Sequence, residues 1–461
     1  MRKILILFLL LACACGKNLD LRPQMQVSAE EAFSNKENVY AALVGCYDGL
    51  QLQHYYGRTL IIVGDLASDN TVADGTKVEY YDVDKNSLFA SNILVEGIWG
   101  DIYQAVNRVN YVLYKLETVT FLSETEKRDF QGQLRFLRAL HYFNLVRLYG
   151  AVPLKLVPTL TDLPSNFLPR CPVETVYNAI VADLEFARSN IRNNSPEKAS
   201  EEAASALLAS VELTMGNADA ARQYASQVLQ ALPVLESSYE ILFSARSEPV
   251  SEILFYIPYS PTDKNRLAEY NFPNTLGGRH ENAPSAELIN ISDHDLRKPM
   301  IAAYHAGKYY ATKYADLTTG SDRVIVLRTA EMYFIRAEAN YQLDSVANLS
   351  KIISDVNMVR NRAGLLPVLG DTVTSLRNII EREKQIEFAF EGKRWFDLIR
   401  TKRALALVPT VTQPYQMLFP IPLSEMLANP EIGAPDLLGT RRSATDGYPS
   451  KHAAGWERVA R

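Results

Sequence analysis

Helical periodicity runs through most of the chain and limits its fold more than any other feature. Apolar residues recur at three-to-four spacing and predict amphipathic helices over residues 29–52, 94–116, 124–148, 173–191, 201–215, 218–232, 324–343, 349–363 and 376–403. Segments 201–215 and 218–232 are separated only by Gly216 and Asn217, a helix-turn-helix unit close to the roughly 34 residues of a tetratricopeptide repeat. We predict a mainly α fold, in which tetratricopeptide-like helix pairs form a frame that carries long irregular loops and a few short strands.

Two long insertions interrupt the helical pattern, at residues 54–92 and 247–320. Both are rich in Gly, Asn, Asp, Pro and Tyr, and the apolar run Ile253–Ile257 predicts a short strand. Loops of this length on a rigid frame are usually disordered or functional, and the tyrosine content argues against disorder. We therefore expect the insertions to bind a ligand.

The N-terminal residues predict a secretory signal over 1–14. A positively charged start precedes an apolar run at residues 4–12 that is too short to span a bilayer. Small residues then alternate with Cys13 and Cys15, which resembles the lipobox of bacterial lipoproteins. The residues before Cys13 favour that cysteine, whereas the spacing to Leu19 and Asp20 favours Cys15. We predict lipidation at Cys15, with Cys13 as the alternative.

The net charge and the two remaining cysteines give two further expectations. The formal net charge of -5 gives no basic excess for phosphates, so nucleic acid is not an expected partner. Cys46 and Cys171 could form one disulfide in an oxidising compartment, or each could be buried as a small apolar side chain.

Several motifs follow one another along the chain. They are RFLRALHYFNL at residues 135–145, YGAVPL at 149–154, LRTAEMYFIRAEA at 327–339, EGKRWFDL at 391–398 and FPIP at 419–422. In this order they resemble the SusD/RagB family of Bacteroidota outer-membrane lipoproteins. The resemblance implies one SusD-like domain over residues 15–432. The tail 433–461 departs from the family's usual ending, and we expect it to be atypical and poorly ordered.

The resemblance implies a binding protein without enzyme activity. It suggests a lipid-anchored protein on the outside of the outer membrane that captures glycan oligomers and delivers them to a SusC-like TonB-dependent transporter. Capture of oligopeptides on the same architecture is the alternative. A tetratricopeptide-type scaffold that binds only proteins is a second alternative, but it would not need the two insertions.

No catalytic, cofactor or metal motif stands out. The chain lacks a Gly-Lys-Ser/Thr nucleotide loop, a His-Glu-x-x-His pair, Gly-x-Ser-x-Gly and Cys-x-x-Cys. Asp82 and Asp84 begin like a calcium loop, but Ser87 and Ile93 replace the required glycine and glutamate. Acidic and basic residues of the C-terminal motifs, such as Glu338, Glu387, Glu391, Arg394 and Asp397, alternate at helical spacing and predict structural ion pairs.

Tyrosine is the expected stacking residue of the ligand site. Trp99 and Trp395 lie inside helical motifs and Trp456 lies in the tail. Sugar rings present C–H faces to aromatic rings, while their hydroxyls need polar partners. The predicted ligand-binding residues are Tyr55, Tyr56, Asp69, Asn70, Tyr80, Tyr81, Arg279, His280 and Tyr309, and the further candidates are Glu281, Asn282, Tyr304, Tyr310 and Tyr314. We expect the insertions to meet, with Asp69, Asn70, Tyr80, Tyr81 and Arg279 around one pocket; the alternative is that the tyrosines pack the loops against the helices.

Overall fold

The computed structural model describes residues 31–161, 163, 166–244, 250–369 and 373–433. Cys13, Cys15 and the tail after Gly433 lie outside the described residues. Within the described part, no helix is both long enough and apolar enough to cross a membrane.

The described chain is mainly helical. In chain order the α-helices are α1 Lys36–Asp48, α2 Thr59–Leu66, α3 Val78–Asp84, α4 Ile93–Leu116, α5 Glu124–Tyr149, α6 Val173–Asn190, α7 Glu201–Met215, α8 Ala218–Ala231, α9 Ile241–Ser244, α10 Leu267–Asn271, α11 Ala286–Ile289, α12 Lys298–Ile301, α13 Thr329–Asp344, α14 Leu349–Arg362, α15 Val373–Glu387, α16 Arg394–Arg400, α17 Ala404–Leu407 and α18 Leu423–Ala428. Short 3-10 helices occupy Glu31–Phe33, Asn274–Leu276, Pro414–Met417 and Pro430–Ile432.

Successive long helices pack on one another and build the frame. Helices α4 to α7 each contact the next helix in the chain, and α13 packs on both α8 and α14. Local signals fix the helix ends: Ser123 and Glu126 form a capping box at the start of α5. Gly216 adopts the left-handed region at φ 82° and ends α7, which leaves a tight turn into α8. These pairs agree with the predicted tetratricopeptide-like architecture.

Six short strands form three two-stranded antiparallel sheets. The strands are β1 Thr71–Val72, β2 Ile253–Ile257, β3 Ala283–Pro284, β4 Ala303–His305, β5 Lys308–Tyr310 and β6 Val324–Arg328. They pair as β1 with β3, β2 with β6 and β4 with β5. The first pair joins the two insertions, the second lies in the core, and the third is a hairpin.

Three of the predicted segments need correction. The helix predicted over 324–343 begins only at Thr329, because the β-branched run Val324–Arg328 pairs with β2 as a buried strand. The helix predicted over 376–403 is broken between α15 and α16, where Phe390 and Gly392 have φ values of 64° and 70°. Part of insertion 54–92 is helical: every residue of α2 is buried, so this helix shows no amphipathic period.

A buried ionic network joins β2, β6, α14 and α15. Glu387 accepts hydrogen bonds from Arg297, Arg328 and Arg362, and all four side chains are buried. The three guanidinium groups hold the pKa of Glu387 well below its usual range, against the opposing effect of burial. Glu391 likewise pairs with Arg328 and Lys313. The structural role predicted for these motif residues is confirmed.

The two described cysteines form no disulfide, and both described tryptophans are buried. Cys46 is buried and Cys171 is half-buried, and both are free thiols. Burial raises the pKa of the Cys46 thiol to about 12, so it stays protonated. Trp99 and Trp395 are buried, as their positions inside helical motifs predict.

Candidate functional site

The two insertions meet through backbone pairing. Thr71 pairs with Pro284, and Val72 pairs with Ala283. The buried Glu281 carboxylate of the second insertion then accepts two N–H groups of the first, from Thr76 and Lys77, each at 3.1 Å. One composite surface therefore includes residues from both insertions.

The hairpin β4–β5 projects from this junction. Ala306 and Gly307 form its two-residue turn and have φ values of 49° and 84°, the left-handed geometry that matches the twist of paired strands. Lys308 at the end of the turn binds the Asp74 carboxylate of the first insertion, with 2.6 Å between Nζ and Oδ2. The hairpin is thus tied to both the second insertion, which contains it, and the first.

Two tyrosines lie exposed on the hairpin. Tyr304 and Tyr309 are directly opposite one another across the strand pair, and their ring centroids are 4.8 Å apart. The residues are 63% and 38% exposed. Among the aromatic ring pairs of the described residues, this is the one in which both rings are exposed. Such a pair offers flat apolar surface to solvent.

His280 links the hairpin to its surroundings from below. Its Nε2 atom lies 3.0 Å from the carbonyl oxygen of Tyr309, and its Nδ1 atom lies 3.1 Å from Oδ2 of Asp74. Its ring is buried, and the residue precedes Glu281 of the junction. We call the surface formed by Asp74, Tyr304, Lys308 and Tyr309 the hairpin platform.

Five of the predicted ligand-binding residues are buried. They are Tyr55, Tyr56, Asn70, Tyr80 and His280. The hydroxyl of Tyr55 lies 3.0 Å from Nδ1 of His141, and Asn144 donates to the hydroxyls of both Tyr55 and Tyr56. Because protein encloses their side chains, none of these five residues is exposed on the hairpin platform.

Asp69 fixes the first insertion to the frame, whereas Asn70 is bonded within the insertion. The Asp69 carboxylate accepts two hydrogen bonds of 2.7 Å from Arg394, and Asn70 donates to Asp65 at 2.6 Å. Burial raises the pKa of Asp65 to about 7, although the hydrogen bonds from Asn70 and from the Gly392 N–H favour the charged form. Both predicted polar residues are therefore occupied by intramolecular contacts.

The remaining predicted residues lie nearer the surface. Tyr81 is half-buried, and its hydroxyl donates to the carbonyl of Gly75, next to Asp74. Arg279 is exposed, and Tyr309 belongs to the platform. The structure does not bring Asp69, Asn70, Tyr80, Tyr81 and Arg279 to one open pocket, because Asn70 and Tyr80 are buried and Asp69 is paired with Arg394.

Sequence reasoning missed Asp74 and Lys308, which hold the platform together. The available signal was the dipeptide Ala306-Gly307 between the short runs AYH and KYY, a pattern typical of a tight hairpin. Lys308 directly follows this turn, and its charge indicated an acidic partner on the neighbouring loop.

A separate cavity of about 110 Å³ lies in the frame beneath the insertions; its lining includes Tyr56, Asn144, Arg147, Glu331, Lys393 and Phe396. The Arg147 guanidinium lies between the rings of Phe143 and Phe396, 3.9 and 4.0 Å from their centroids. Glu331 and Lys393 form an ion pair. The charged groups of this cavity are thus already engaged with one another or with aromatic faces.

Two family models match successive parts of the chain. One, described as "Starch-binding associating with outer membrane", matches residues 17–213, and the other, described as "SusD family", matches residues 281–413. The two matches together span most of the chain. This chain belongs to the SusD/RagB family.

Named SusD-like relatives extend over nearly the full length. "SusD-like protein P2" of Formosa agariphila is 26% identical, and the match covers 93% of this chain and 98% of the relative. A "SusD-like protein" of Bacteroides ovatus is 24% identical, with 86% of this chain and 81% of the relative covered.

Solved structures of the SusD superfamily share the fold. A superfamily protein from Bacteroides vulgatus matches with a TM-score of 0.78 at 20% identity, covering 88% of this chain and 99% of that one. A laminarin-binding SusD-like protein matches with a TM-score of 0.76 at 23% identity, covering 87% and 99%. The predicted family and the mainly α fold class are confirmed.

Proposed function

We propose that this protein captures glycan oligomers on the hairpin platform and delivers them to a TonB-dependent outer-membrane transporter. The exposed pair Tyr304 and Tyr309 carries the proposal, because two adjacent rings offer stacking faces for successive sugar units. Asp74, Lys308 and Arg279 at their margin supply polar groups for hydroxyls. The starch-binding description of the matched family and the laminarin-binding structural neighbour support a carbohydrate ligand.

The proposal places the protein on the outer face of the outer membrane. The matched family is described as associating with the outer membrane. Lipidation at Cys15, or alternatively Cys13, would supply the anchor, since several acyl chains on one residue hold a protein stably where a single chain is marginal. The SusC-like transporter as partner follows from the family resemblance, as does binding without catalysis.

Neither alternative has an observation in its favour. Oligopeptide capture would use the same platform. However, the matched family is described as starch-binding and the structural neighbour as laminarin-binding, and both ligands are carbohydrates. A scaffold that binds only proteins would give no role to the exposed tyrosine pair or to the tethered hairpin that carries it.

Calorimetry of the mature protein, without its signal segment, would test the platform. Starch, laminarin and other oligosaccharide pools should include a binder, whereas a mixed oligopeptide pool should not. Tyr304→Ala and Tyr309→Ala should each weaken glycan binding by about 1–3 kcal/mol, because each removes one stacking face. The melting temperature should change little, since both rings are exposed.

Tyr114→Ala is the matched control. Tyr114 is also an exposed tyrosine, but it lies on α4, outside the insertions, and its removal should leave affinity unchanged. Binding of peptides without binding of any glycan would contradict the proposed ligand class. A Tyr304→Ala/Tyr309→Ala double variant with the affinity of the parent would contradict the proposed site.

A further inference from the structure

Three arginines surround one tyrosine beside the hairpin platform. The guanidinium carbons of Arg58, Arg266 and Arg279 lie 4.5, 5.7 and 5.8 Å from the ring centroid of Tyr270. Arg58 comes from the first insertion and the other two come from the second. We call these three residues the arginine cluster.

The cluster has fewer carboxylates than cations. Glu269 accepts two hydrogen bonds from Arg266, at 2.6 and 2.7 Å, and another from Nε of Arg279. Arg58 is buried, and its hydrogen-bond partners among the described residues are neutral, with the Tyr270 hydroxyl at 2.8 Å and the Thr59 hydroxyl at 3.2 Å. Arg266 and Arg279 therefore share one directly bound carboxylate, and Arg58 has none.

Arg58 has a further carboxylate near it. Asp101 interacts electrostatically with the buried Arg58 and also accepts the His54 N–H at 2.8 Å. The excess of positive charge open to a ligand therefore lies at Arg266 and Arg279, which have one carboxylate between them, although the whole chain has a formal charge of -5. A local excess of positive charge attracts anionic ligands even on an acidic protein.

Arg279 is held in a fixed orientation with its outer edge open. Its side-chain Nε donates to Glu269, and its backbone N–H donates to the Glu269 carbonyl at 2.6 Å. Its two terminal amino groups have no hydrogen-bond partner among the described residues, and 47% of the side chain is exposed. An arginine fixed in this way loses little conformational entropy when it binds a planar or tetrahedral oxyanion.

The cluster borders the platform. Arg279 directly precedes His280, whose ring contacts the Tyr309 carbonyl. Arg279 therefore adjoins, along the chain, the residue that supports Tyr309 from within.

Building on the function proposed above, we propose that the captured glycan is acidic, and that its anionic substituents bind Arg279 and Arg266 at the edge of the platform. Uronate carboxylates and sulfate esters share the required chemistry, because both present oxygen pairs to the guanidinium fork. A neutral glycan would leave the excess positive charge of the cluster uncompensated. The bound anion supplies the charge that a second carboxylate would otherwise provide.

Matched pairs of probes test this by calorimetry on the mature protein. An oligogalacturonate is compared with its fully methyl-esterified form, and a sulfated galactan oligosaccharide with its desulfated form; neutral laminarin oligosaccharide is a fifth probe. We expect one anionic probe to bind at least about tenfold more tightly than its neutralised form at low ionic strength. Which pair shows the difference distinguishes a uronate ligand from a sulfated one. The advantage should shrink as salt is raised.

Arg279→Gln should remove most of the affinity advantage of the anionic probe over its neutralised form. The affinity for the neutralised probe should stay within about twofold of the parent's. Arg279→Lys should restore part of it, because charge returns without the bidentate geometry. Arg108→Gln is the matched control: Arg108 is a partly exposed arginine that pairs with Asp48 outside the insertions, and its loss should change nothing.

The outcomes separate this inference from the proposed function. Neutral probes that bind as well as both anionic ones would overturn the acidic ligand and leave glycan capture intact. An anionic advantage that persists in Arg279→Gln would overturn the assignment to this cluster. Absence of binding by all five probes would contradict both proposals together.

Discussion

The buried network of the frame and the arginine cluster of the insertions differ in how completely their arginines are paired with carboxylates. In the network, Arg297, Arg328 and Arg362 converge on Glu387, and further carboxylates including Glu391 complete the charge balance. These groups are enclosed by protein. Charges so placed are costly unless each has a partner, and here each does.

The arginine cluster lacks that balance and lies partly in solvent. Arg266 and Arg279 share Glu269, and the outer edge of Arg279 faces water. Partly exposed cations tolerate incomplete pairing, because water screens them. Full pairing thus accompanies a structural role in this molecule, whereas incomplete pairing at the accessible Arg266 and Arg279 leaves capacity for a ligand. Mutations in the two regions should therefore separate stability from binding.

The largest expected effect is on stability, in Glu387→Gln. The substitution leaves three buried guanidinium groups around a neutral amide, so the free energy of unfolding should fall by about 3–5 kcal/mol. Denaturant unfolding measures the loss. Glycan affinity of the fraction that remains folded should be unchanged. A variant with the stability of the parent but weaker binding would reverse the contrast between the two regions.

Asp65 lies at the boundary, where α2 of the first insertion meets Gly392 of the frame, and it gives a pH-dependent test. Its folded pKa of about 7 exceeds the roughly 3.9 of an unfolded aspartate. Between these values the folded state holds a proton that the unfolded state has lost, so the contribution of Asp65 to stability declines as pH rises through this window. The slope is up to about 1.4 kcal/mol per pH unit.

Asp65→Asn removes that titration. The unfolding free energy of the variant, taken relative to the parent, should therefore rise between about pH 4 and pH 7 and become constant above it. Chemical unfolding at closely spaced pH values measures the difference. A relative stability that does not change with pH would show that the Asp65 carboxyl titrates normally in the folded protein.

The sequence was sufficient for the frame because its signals are local. Helices α7 and α8 follow apolar spacing and a glycine turn, and α5 begins at the capping box of Ser123. Predictions were wrong where a distant partner decided the structure. The run Val324–Arg328 became a strand because Ile253–Ile257 lies beside it, and Gly392 broke a helix where the chain passes close to Ile61.

The candidate site was predictable as a region but not residue by residue. Composition and length identified both insertions, and their tyrosines include the exposed pair. Whether a given ring faces solvent depends on long-range packing: Tyr55 is buried because Asn144 and His141 of α5 bind its hydroxyl. Tyr309 is exposed because it lies on a hairpin that projects from the junction. Residue type alone does not distinguish these two tyrosines.

The smallest expected effect concerns Lys308→Ala, and it asks how much of the platform depends on charge rather than on stacking. Lys308 and Asp74 form a partly exposed ion pair, so its loss should cost less than about 1 kcal/mol of stability. His280 still contacts Tyr309 and keeps the hairpin in place. Affinity for a neutral glycan should therefore fall by less than about threefold, far less than in Tyr309→Ala.

Lys36→Ala is the matched control for that measurement, since Lys36 also forms an exposed ion pair, with Glu126, outside the insertions. Its removal should have a similarly small effect on melting temperature and none on affinity. If Lys308→Ala instead weakened glycan binding as much as Tyr309→Ala does, while Lys36→Ala did not, the ion pair to Asp74 would be what holds the platform in its binding geometry. The tyrosine faces would then act only when that pair is intact, and charge would carry a structural role in the insertions as well as in the frame.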